Sequence, residues 1–324
     1  MTTKQKILTL LEADRDLWLS GEAIAAQLGL SRAAVWKAVN ALTAEGHQIE
    51  AVTRRGYRLT PESDVISQAS LLPHLNDPAY AENVHVYPAL DSTNTKAKEL
   101  AIAGHSHGTV VVADAQTAGR GRLGRPFASP AGAGLYISFL LKPDRLPLRN
   151  VTWITAVAAL AVCDAVKLVT GRDAQIKWVN DVLLDRKKIC GILTEAMTDL
   201  EGGGLDWLVV GIGINILSCA LPDDLRSVAA GLYEDTAPGG TRSRLAASLI
   251  NTFLAPRLWP DSRELYAAYK ARQVVLGREI TVHSLTGASY AARAVELDAD
   301  GRLVVELNDG RREVLHSGEV SVRL

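Results

Sequence analysis

Residues 116–130 read QTAGRGRLGRPFASP. Gly119, Gly121 and Gly124 formally spell a GxGxxG pattern behind an apolar run. A dinucleotide-binding fold would need a helix directly after those glycines and an acidic residue about 20 positions on. Pro126 and Pro130 block the helix, and the chain near residue 140 is Phe139-Leu140-Leu141. The dinucleotide fold is therefore excluded, and the chemistry of the loop has to be read for itself. Glycines let a backbone approach a ligand closely or move. Arg120, Arg122 and Arg125 alternate with them as partners for phosphate or carboxylate, and Gln116 precedes as a polar reader. Three like charges so close together repel, so the loop is expected to be mobile until an anion neutralises it. A solvated surface loop accounts for the charge but not for the regular Arg/Gly interleaving. An anion-binding loop accounts for both.

Outward from this loop, strands and helices alternate from about residue 65 to 270. VHVYPAL, TVVVADA, GLYISFLL, AQIKWVN, DVLLDRKKICGILTE and DWLVVGIGINI are strand candidates, and Thr95–Ala103 and Trp153–Leu168 are helix candidates. This is an α+β or α/β sheet domain. Beyond Gln273 come short strands with Asp300-Gly301 and Asp309-Gly310 as hairpin turns, which read as a small all-β barrel. Ahead of the sheet domain, Thr3–Arg15 carries Ile7, Leu8, Leu10 and Leu11 on one side. Ser20 can cap a second helix that Gly29 ends, and Ser31 can cap a third with Val35, Val39 and Leu42 at helical spacing. HQIEAVTRRGYRL then reads as a hairpin turning at Arg54-Arg55-Gly56. The expected boundaries are 1–63, 64–271 and 272–324.

Three helices and a basic hairpin make a winged-helix signature. Residues 1–63 have a net charge of +1, but residues 31–60 alone have +3, concentrated on the third helix and the hairpin. Ser31, Arg32, Lys37 and Asn40 face away from the Val35/Val39/Leu42 stripe. With Arg54 and Arg55 they suit phosphates and base edges. A protein-interaction module with a solvated basic face is the competing reading.

The whole chain of 324 residues carries 35 Lys+Arg against 36 Asp+Glu, so bulk charge selects no partner. Cys163, Cys190 and Cys219 lack metal or redox spacing and read as reduced thiols of a cytoplasmic protein. Glu12 and Asp14 interrupt the N-terminus where a signal peptide needs an apolar core. The apolar stretch Val151–Cys163 is short of the ~20 residues a bilayer demands. No membrane partner and no protein-held metal site are expected.

GRGRLGR resembles the Gly/Arg adenylate-binding loop of the biotin–protein ligases, and the resemblance extends over nearly the whole chain. Asp91-Ser92-Thr93-Asn94-Thr95 is similar to the family's serine–threonine–asparagine motif; by itself it would be read as a helix cap at Asp91 or Ser92. Lys177-Trp178-Val179-Asn180-Asp181 resembles the KWPND-like motif, with Val179 in place of proline. Lys188, three residues before Gly191, aligns with the active-site lysine, and Lys187 competes with it by one position. Gly211-Ile212-Gly213-Ile214-Asn215 is an apolar strand with two glycines, which weaken a strand unless something approaches it closely. The GEVSVRL end resembles the last strand of the family's C-terminal domain, and Leu232 stands where an aromatic residue is expected.

The resemblance implies a bifunctional ligase/repressor: a winged helix, a class II synthetase-like sheet domain and an SH3-like barrel. It implies that biotin and ATP, with Mg²⁺, give biotinoyl-5′-AMP. A lysine of the biotin carboxyl carrier protein of acetyl-CoA carboxylase then takes the biotinoyl group. Lys188, Arg122, Asp181 and Lys177 would be catalytic. Ser92, Thr93, Asn94, Gln116, Arg120, Gly121, Arg122, Lys188, Gly211 and Gly213 would hold biotin, with Ile212 in the same apolar wall. Arg122, Asn180, Lys188, Asn215 and Arg323 would hold the nucleotide. Operator DNA and a homodimer formed by the adenylate-bound protein are the implied partners. A lipoate-type ligase and a DNA regulator that only binds the effector are the alternatives.

Overall fold

The computed structural model describes residues 2–143, 153–198, 205–254, 262–283, 289–315 and 319–322. The N-terminal module has helices α1 (Thr3–Ala13), α2 (Gly21–Leu28) and α3 (Arg32–Ala44), followed by an antiparallel hairpin, β1 (Ile49–Val52) and β2 (Gly56–Leu59). The helices begin where their caps stand. Thr2 and Gln5 form a reciprocal capping box, Ser20 accepts from Ala23 N at 3.0 Å, and Ser31 accepts from Ala34 N at 3.1 Å. Each cap contributes on the order of 1 kcal/mol. Gly29 ends α2 in the left-handed conformation, φ 64°. Ile7, Leu8, Leu11, Ile24, Val35, Val39, Leu42 and Leu59 form the module's own core. The hairpin is tied back at Leu19, which exchanges backbone hydrogen bonds with Tyr57 at 2.9 and 2.8 Å. Gly56 is required there: its φ is +109°, and a Cβ would lie 2.1 Å from the Leu19 carbonyl oxygen.

The central domain is a seven-stranded sheet. Its strands are β3 (Val84–Tyr87), β4 (Thr109–Ala113), β5 (Gly134–Leu141), β6 (Gln175–Lys177), β7 (Asp181–Leu184), β8 (Lys187–Thr198) and β9 (Leu205–Asn215), ordered β3-β4-β5-β9-β8-β7-β6. Only β3 and β4 run parallel, so the domain is α+β rather than α/β. Helices α6 (Ile154–Thr170) and α7 (Thr241–Leu254) bury one face; α5 (Thr93–Ile102) covers the other.

Strand alternation decides where the site lies. Along β9, Leu208, Val210, Ile212 and Ile214 point into the main core, while Trp207 and Val209 point to the α5 face. Gly211 and Gly213 continue that second face with no side chain, and the sheet opens there.

The short helix α4 (Gln68–Leu71) follows the winged helix, and α8 (Ser262–Ala271) precedes the C-terminal strands. Those are β10 (Glu279–His283), β11 (Ser289–Leu297), β12 (Leu303–Glu306), β13 (Arg312–Leu315) and β14 (Glu319–Val322), ordered β13-β12-β11-β10-β14 and antiparallel throughout. Gly301 (φ 74°) and Gly310 (φ 81°) make the two tight turns. The five-stranded sheet is consistent with the small barrel expected.

Both junctions are polar and specific. Trp178 Nε1 donates to the Gly301 carbonyl at 3.0 Å, and Tyr266 Oη donates to Leu297 O at 2.7 Å. At the winged-helix side, Arg242 pairs with Asp64 and Asp114, and Arg15 donates to Ser63 O at 2.6 Å.

Candidate functional site

Most of the residues expected to act meet in one cleft on the α5 face. A cavity of about 260 Å³ is lined by Ser92, Thr93, Asn94, Gln116, Arg120, Gly121, Arg122, Lys177, Asn180, Asp181, Lys188, Gly211 and Gly213. A second cavity of about 440 Å³ shares Arg125, Pro126, Phe127, Lys177, Asp181 and Lys188 with the first and adds Asn215 and the 221–229 segment. Asn215 is thus placed in the second cavity and not the first. Arg323 lies outside the described residues; Val320 of β14 is the C-terminal domain's lining residue. Asp181 is the carboxylate in both linings, set against Arg120, Arg122, Arg125, Lys177 and Lys188 in the first. The cleft is strongly positive, as an anionic ligand requires.

At one end a buried polar network organises the wall. The Gln116 Oε1 accepts from Thr93 N at 2.9 Å and Thr93 Oγ1 at 3.2 Å, and its Nε2 donates to Ser129 Oγ at 2.9 Å. Asn94 Nδ2 donates to Glu195 Oε2 at 2.7 Å and Leu193 O at 3.3 Å. The fully buried Ser138 hydroxyl lies between Thr93 Oγ1 at 2.7 Å and Asn94 Oδ1 at 2.6 Å, and its one proton goes to the Asn94 oxygen, which can only accept. This corrects the capping assignment. Ser92 occupies the N-cap position of α5 without a side-chain bond, and Asp91 accepts from Ser92 N at 2.6 Å. Gln116, 23 residues away, instead satisfies the first helical N–H. Ser138, Ser129 and Glu195 were not singled out in the sequence. Glu195 closes a quoted strand, and its charge at the end of an apolar run was the available signal.

The glycines of β9 make room for the protein's own side chains. A Cβ at Gly211 would lie 2.2 Å from Asn94 Oδ1, and one at Gly213 would lie 2.5 Å from the Phe127 ring. Phe127, on the Gly/Arg loop, lies against the strand and packs edge-on to Tyr136 at 6.4 Å. The loop closes on itself through Gly121 N to Arg125 O at 2.7 Å and Phe127 N to Gly119 O at 2.8 Å. Arg120 donates to Thr95 Oγ1 at 2.9 Å and Arg122 to Asn180 Oδ1 at 3.1 Å.

At the other end, Lys188 Nζ lies 2.7 Å from Asp181 Oδ1. The tip of the β7–β8 hairpin is Asp185-Arg186, both at positive φ, so Lys188 is a strand residue facing the cavity and not a tip lysine. Lys187 is exposed and donates to Arg226 O at 3.0 Å, outside the cleft. Burial raises the Cys190 thiol well above its ordinary pKa and pushes Cys163 up to about 12, so neither is a nucleophile near neutrality. The Trp178–Val179 peptide at the motif's missing proline is cis. Leu232 lies in the main core, with 2% exposure, and does not line either cavity.

On the winged helix, Arg32, Lys37, Asn40, Arg54 and Arg55 are all exposed. Ser31 is also exposed, but its hydroxyl accepts from Ala34 N and is already spent as a cap. Arg55 stacks over the Trp18 ring at 4.5 Å, which stiffens the wing. Trp36 was passed over. It is 61% exposed, one helical turn from both Arg32 and Asn40, outside the core-facing stripe. Its position outside the Val35/Val39/Leu42 stripe was the signal.

A winged helix, a mixed sheet with a two-chambered cationic cleft and a C-terminal β-sheet define a nucleotide-dependent ligase that carries a DNA-binding module. Family models match accordingly: an HTH domain at residues 3–58, the biotin/lipoate A/B protein ligase family at 86–215 and the biotin protein ligase C-terminal domain at 275–323. The bifunctional ligase/repressor BirA of Bacillus subtilis is 31% identical over 97% of this chain and 97% of its own length. The Escherichia coli BirA is 29% identical over 94% of this chain and 92% of its own. The biotin protein ligase of Aquifex aeolicus, solved with biotin and ATP, superposes with a TM-score of 0.62 at 30% identity, covering 75% of this chain and 99% of that one. The chain belongs to the biotin protein ligase family, in its bifunctional ligase/repressor form. Among the described residues no helix is long and apolar enough to cross a membrane.

Proposed function

We propose that the chain joins biotin to ATP as biotinoyl-5′-AMP and passes the biotinoyl group to a lysine of the biotin carboxyl carrier protein of acetyl-CoA carboxylase. The observation that carries this is the hydrogen-bond capacity left over in the cavity wall. Both Asn94 N–H groups are spent, so the second lone pair of Oδ1 remains as an acceptor. Gln116 Oε1 is filled twice while one Nε2 hydrogen remains as a donor. An acceptor beside a donor complements a ring N–H beside a carbonyl, the pattern of a cyclic urea. A dithiolane offers neither partner and would leave both groups unpaired. A site built to hydrogen-bond discriminates against such an analogue by roughly 10⁴-fold, which favours biotin over lipoate. An intact Lys188–Asp181 pair among the cleft cations favours an active enzyme over a regulator that only binds the effector.

In the first step a carboxylate oxygen of biotin attacks the α-phosphorus and pyrophosphate leaves. Lys188 and Arg122 offset the charge that builds there, and Asn180, held by Arg122 and by Ile192 O at 2.9 Å, fixes the guanidinium. Lys177 adds charge at the seam of the two cavities, and the second cavity takes the nucleotide. Magnesium would arrive with the triphosphate; Asp181, which lines both cavities, is the carboxylate that fits it. In the second step the carrier lysine nitrogen attacks the anhydride carbonyl, loses its proton, and AMP leaves. Asp181 is placed to orient that amine.

Incubation with biotin, ATP, Mg²⁺ and a biotin carrier domain should raise the carrier's mass by one biotinoyl group, and lipoate should not substitute. An unchanged carrier mass overturns the reading. We further propose that the cytoplasmic protein pairs when adenylate-bound and represses from a two-fold operator, since one module with net +3 on its third helix and hairpin neutralises few phosphates. Saturating adenylate should shift sedimentation from monomer to dimer. Arg32→Ala or Lys37→Ala should remove operator binding, read by fluorescence anisotropy, while carrier labelling stays at the wild-type rate.

A further inference from the structure

Below the cavity wall lies a charge pair to which the mechanism assigns no part. Asn94 and Lys98 stand one turn apart on α5 and face the same carboxylate on β8. Glu195 Oε2 accepts from Asn94 Nδ2 at 2.7 Å, and its Oε1 accepts from Lys98 Nζ at 2.5 Å. An asparagine amide is nearly symmetric in shape, so its partners and not its packing decide which end is oxygen. Ser138 cannot decide it, because a hydroxyl turns to accept as readily as it donates. Leu193 O, at 3.3 Å, is a long contact. The carboxylate accepts only, and it is charged.

We propose that Glu195, held by Lys98, is a positioning residue that locks the Asn94 amide with its oxygen as the acceptor toward the substrate, and so sets the enzyme's selectivity for a ring N–H. The proposal rests on the cavity being the biotin site. Burial works to raise the Glu195 pKa, but the hydrogen bonds from Lys98 and Asn94 and the Lys98 charge outweigh it, so the carboxyl titrates below its ordinary range and is ionised near neutrality. Gly211 makes room for this amide: a Cβ there would meet Asn94 Oδ1 at 2.2 Å, so the strand is shaped around the side chain that Glu195 orients. The pair ties α5 to β8 across 97 residues of chain.

The test uses the full chain and three substrates: biotin and the two cyclic carbamate analogues in which one ring N–H is replaced by oxygen. Wild-type protein should discriminate strongly against the carbamate that sets an oxygen against Asn94. Glu195→Ala frees the amide to turn. The KM for biotin should rise on the order of tenfold, kcat of pyrophosphate release should stay within about twofold, and the preference for biotin over that carbamate should collapse. Glu195→Gln gives its one carbonyl to Lys98 and turns its NH2 toward Asn94, so it should turn the Asn94 amide and lose the preference as Glu195→Ala does, while keeping the side chain's size. Calorimetric binding of biotin, together with thermal melts of both variants, separates a misfolded protein from a turned amide. Equal weakening of all three substrates in Glu195→Ala, or no change in any, would overturn the proposal. A wild-type protein that releases no pyrophosphate with biotin would instead overturn the reading of the cavity itself.

Discussion

Arg242→Ala should lose about 3–5 kcal/mol of unfolding free energy at neutral pH, the cost of removing one partner from a buried ion pair. Arg242 lies in the first turn of α7 with a side chain that is 6% exposed, and its guanidinium holds Asp64, a residue just after the winged helix, to the sheet domain. Its Nε lies 3.2 Å from Asp64 Oδ2, it donates to the Asp64 carbonyl, and it pairs with Asp114 at the end of β4. Burial already raises the Asp64 pKa against the pull of Arg242 and its hydrogen bonds. Without the arginine, Asp64 and Asp114 are left facing each other across the space it vacated.

The sign of the pH effect follows from linkage. Asp64, already raised by burial and now without Arg242 to pull it down, holds its proton more tightly folded than unfolded. The deficit against wild type is therefore largest above the carboxylate range and shrinks as pH falls through it, where both states become protonated. Urea melts at pH 7 and pH 4 measure this. The neighbouring contacts of Arg15 with Glu12 and Ser63, and of Gly239 N with Pro61 O at 2.6 Å, cannot replace it. The winged helix should then melt as a separate, earlier transition. A single transition within 1 kcal/mol of wild type would show that the junction does not depend on this residue.

Lys188→Ala should slow adenylate formation on the order of a hundredfold, about 3 kcal/mol of transition-state stabilisation. The Lys188 side chain is 36% exposed at the seam of the two cavities, and that of its partner Asp181 is 20% exposed. On the proposed mechanism, truncation removes a cation from the reacting phosphate and takes from Asp181 its lysine partner, so two effects act in one direction. The backbone of Lys188 exchanges hydrogen bonds with Val228 and Ala230 at 3.0 and 2.9 Å, which the substitution retains, so the hairpin should still fold. Lys187→Ala is the control for register and should leave the rate within about twofold, because its ammonium donates to Arg226 O, outside the cleft. Pyrophosphate release at the wild-type rate from Lys188→Ala would remove Lys188 from the mechanism.

That control was needed because the strand pattern alone could not choose between the two lysines. The β7–β8 ladder shifts register between Val182 and Leu183, so simple alternation from Cys190 backwards does not say which lysine faces in. The same limit applies to α5. Serine and aspartate at its start read as caps, yet the side chain that satisfies the helix comes from Gln116, beyond β4. The cleft's membership was legible in the motifs, and Glu195 was not, because its meaning depends on Asn94, 101 residues earlier.

Sequence alone determined what is local or periodic. The three helices of the DNA module lie where their Thr/Ser caps and apolar stripes put them, the turns fall at Gly56, Gly301 and Gly310, and the cationic Gly/Arg loop could not open a helix with Pro126 and Pro130 inside it. Each of these follows from backbone sterics or a spacing of a few residues. Tertiary structure alone decided the pairings between distant groups. It set Arg242 between Asp64 and Asp114, turned Lys188 to Asp181, and placed Glu195 under Asn94. It also showed what the β9 glycines are for: Asn94 and Phe127 fill the space their side chains would take. Hydrogen bonds and ion pairs act only over a few ångströms, and which groups come that close depends on how the sheet and helices pack.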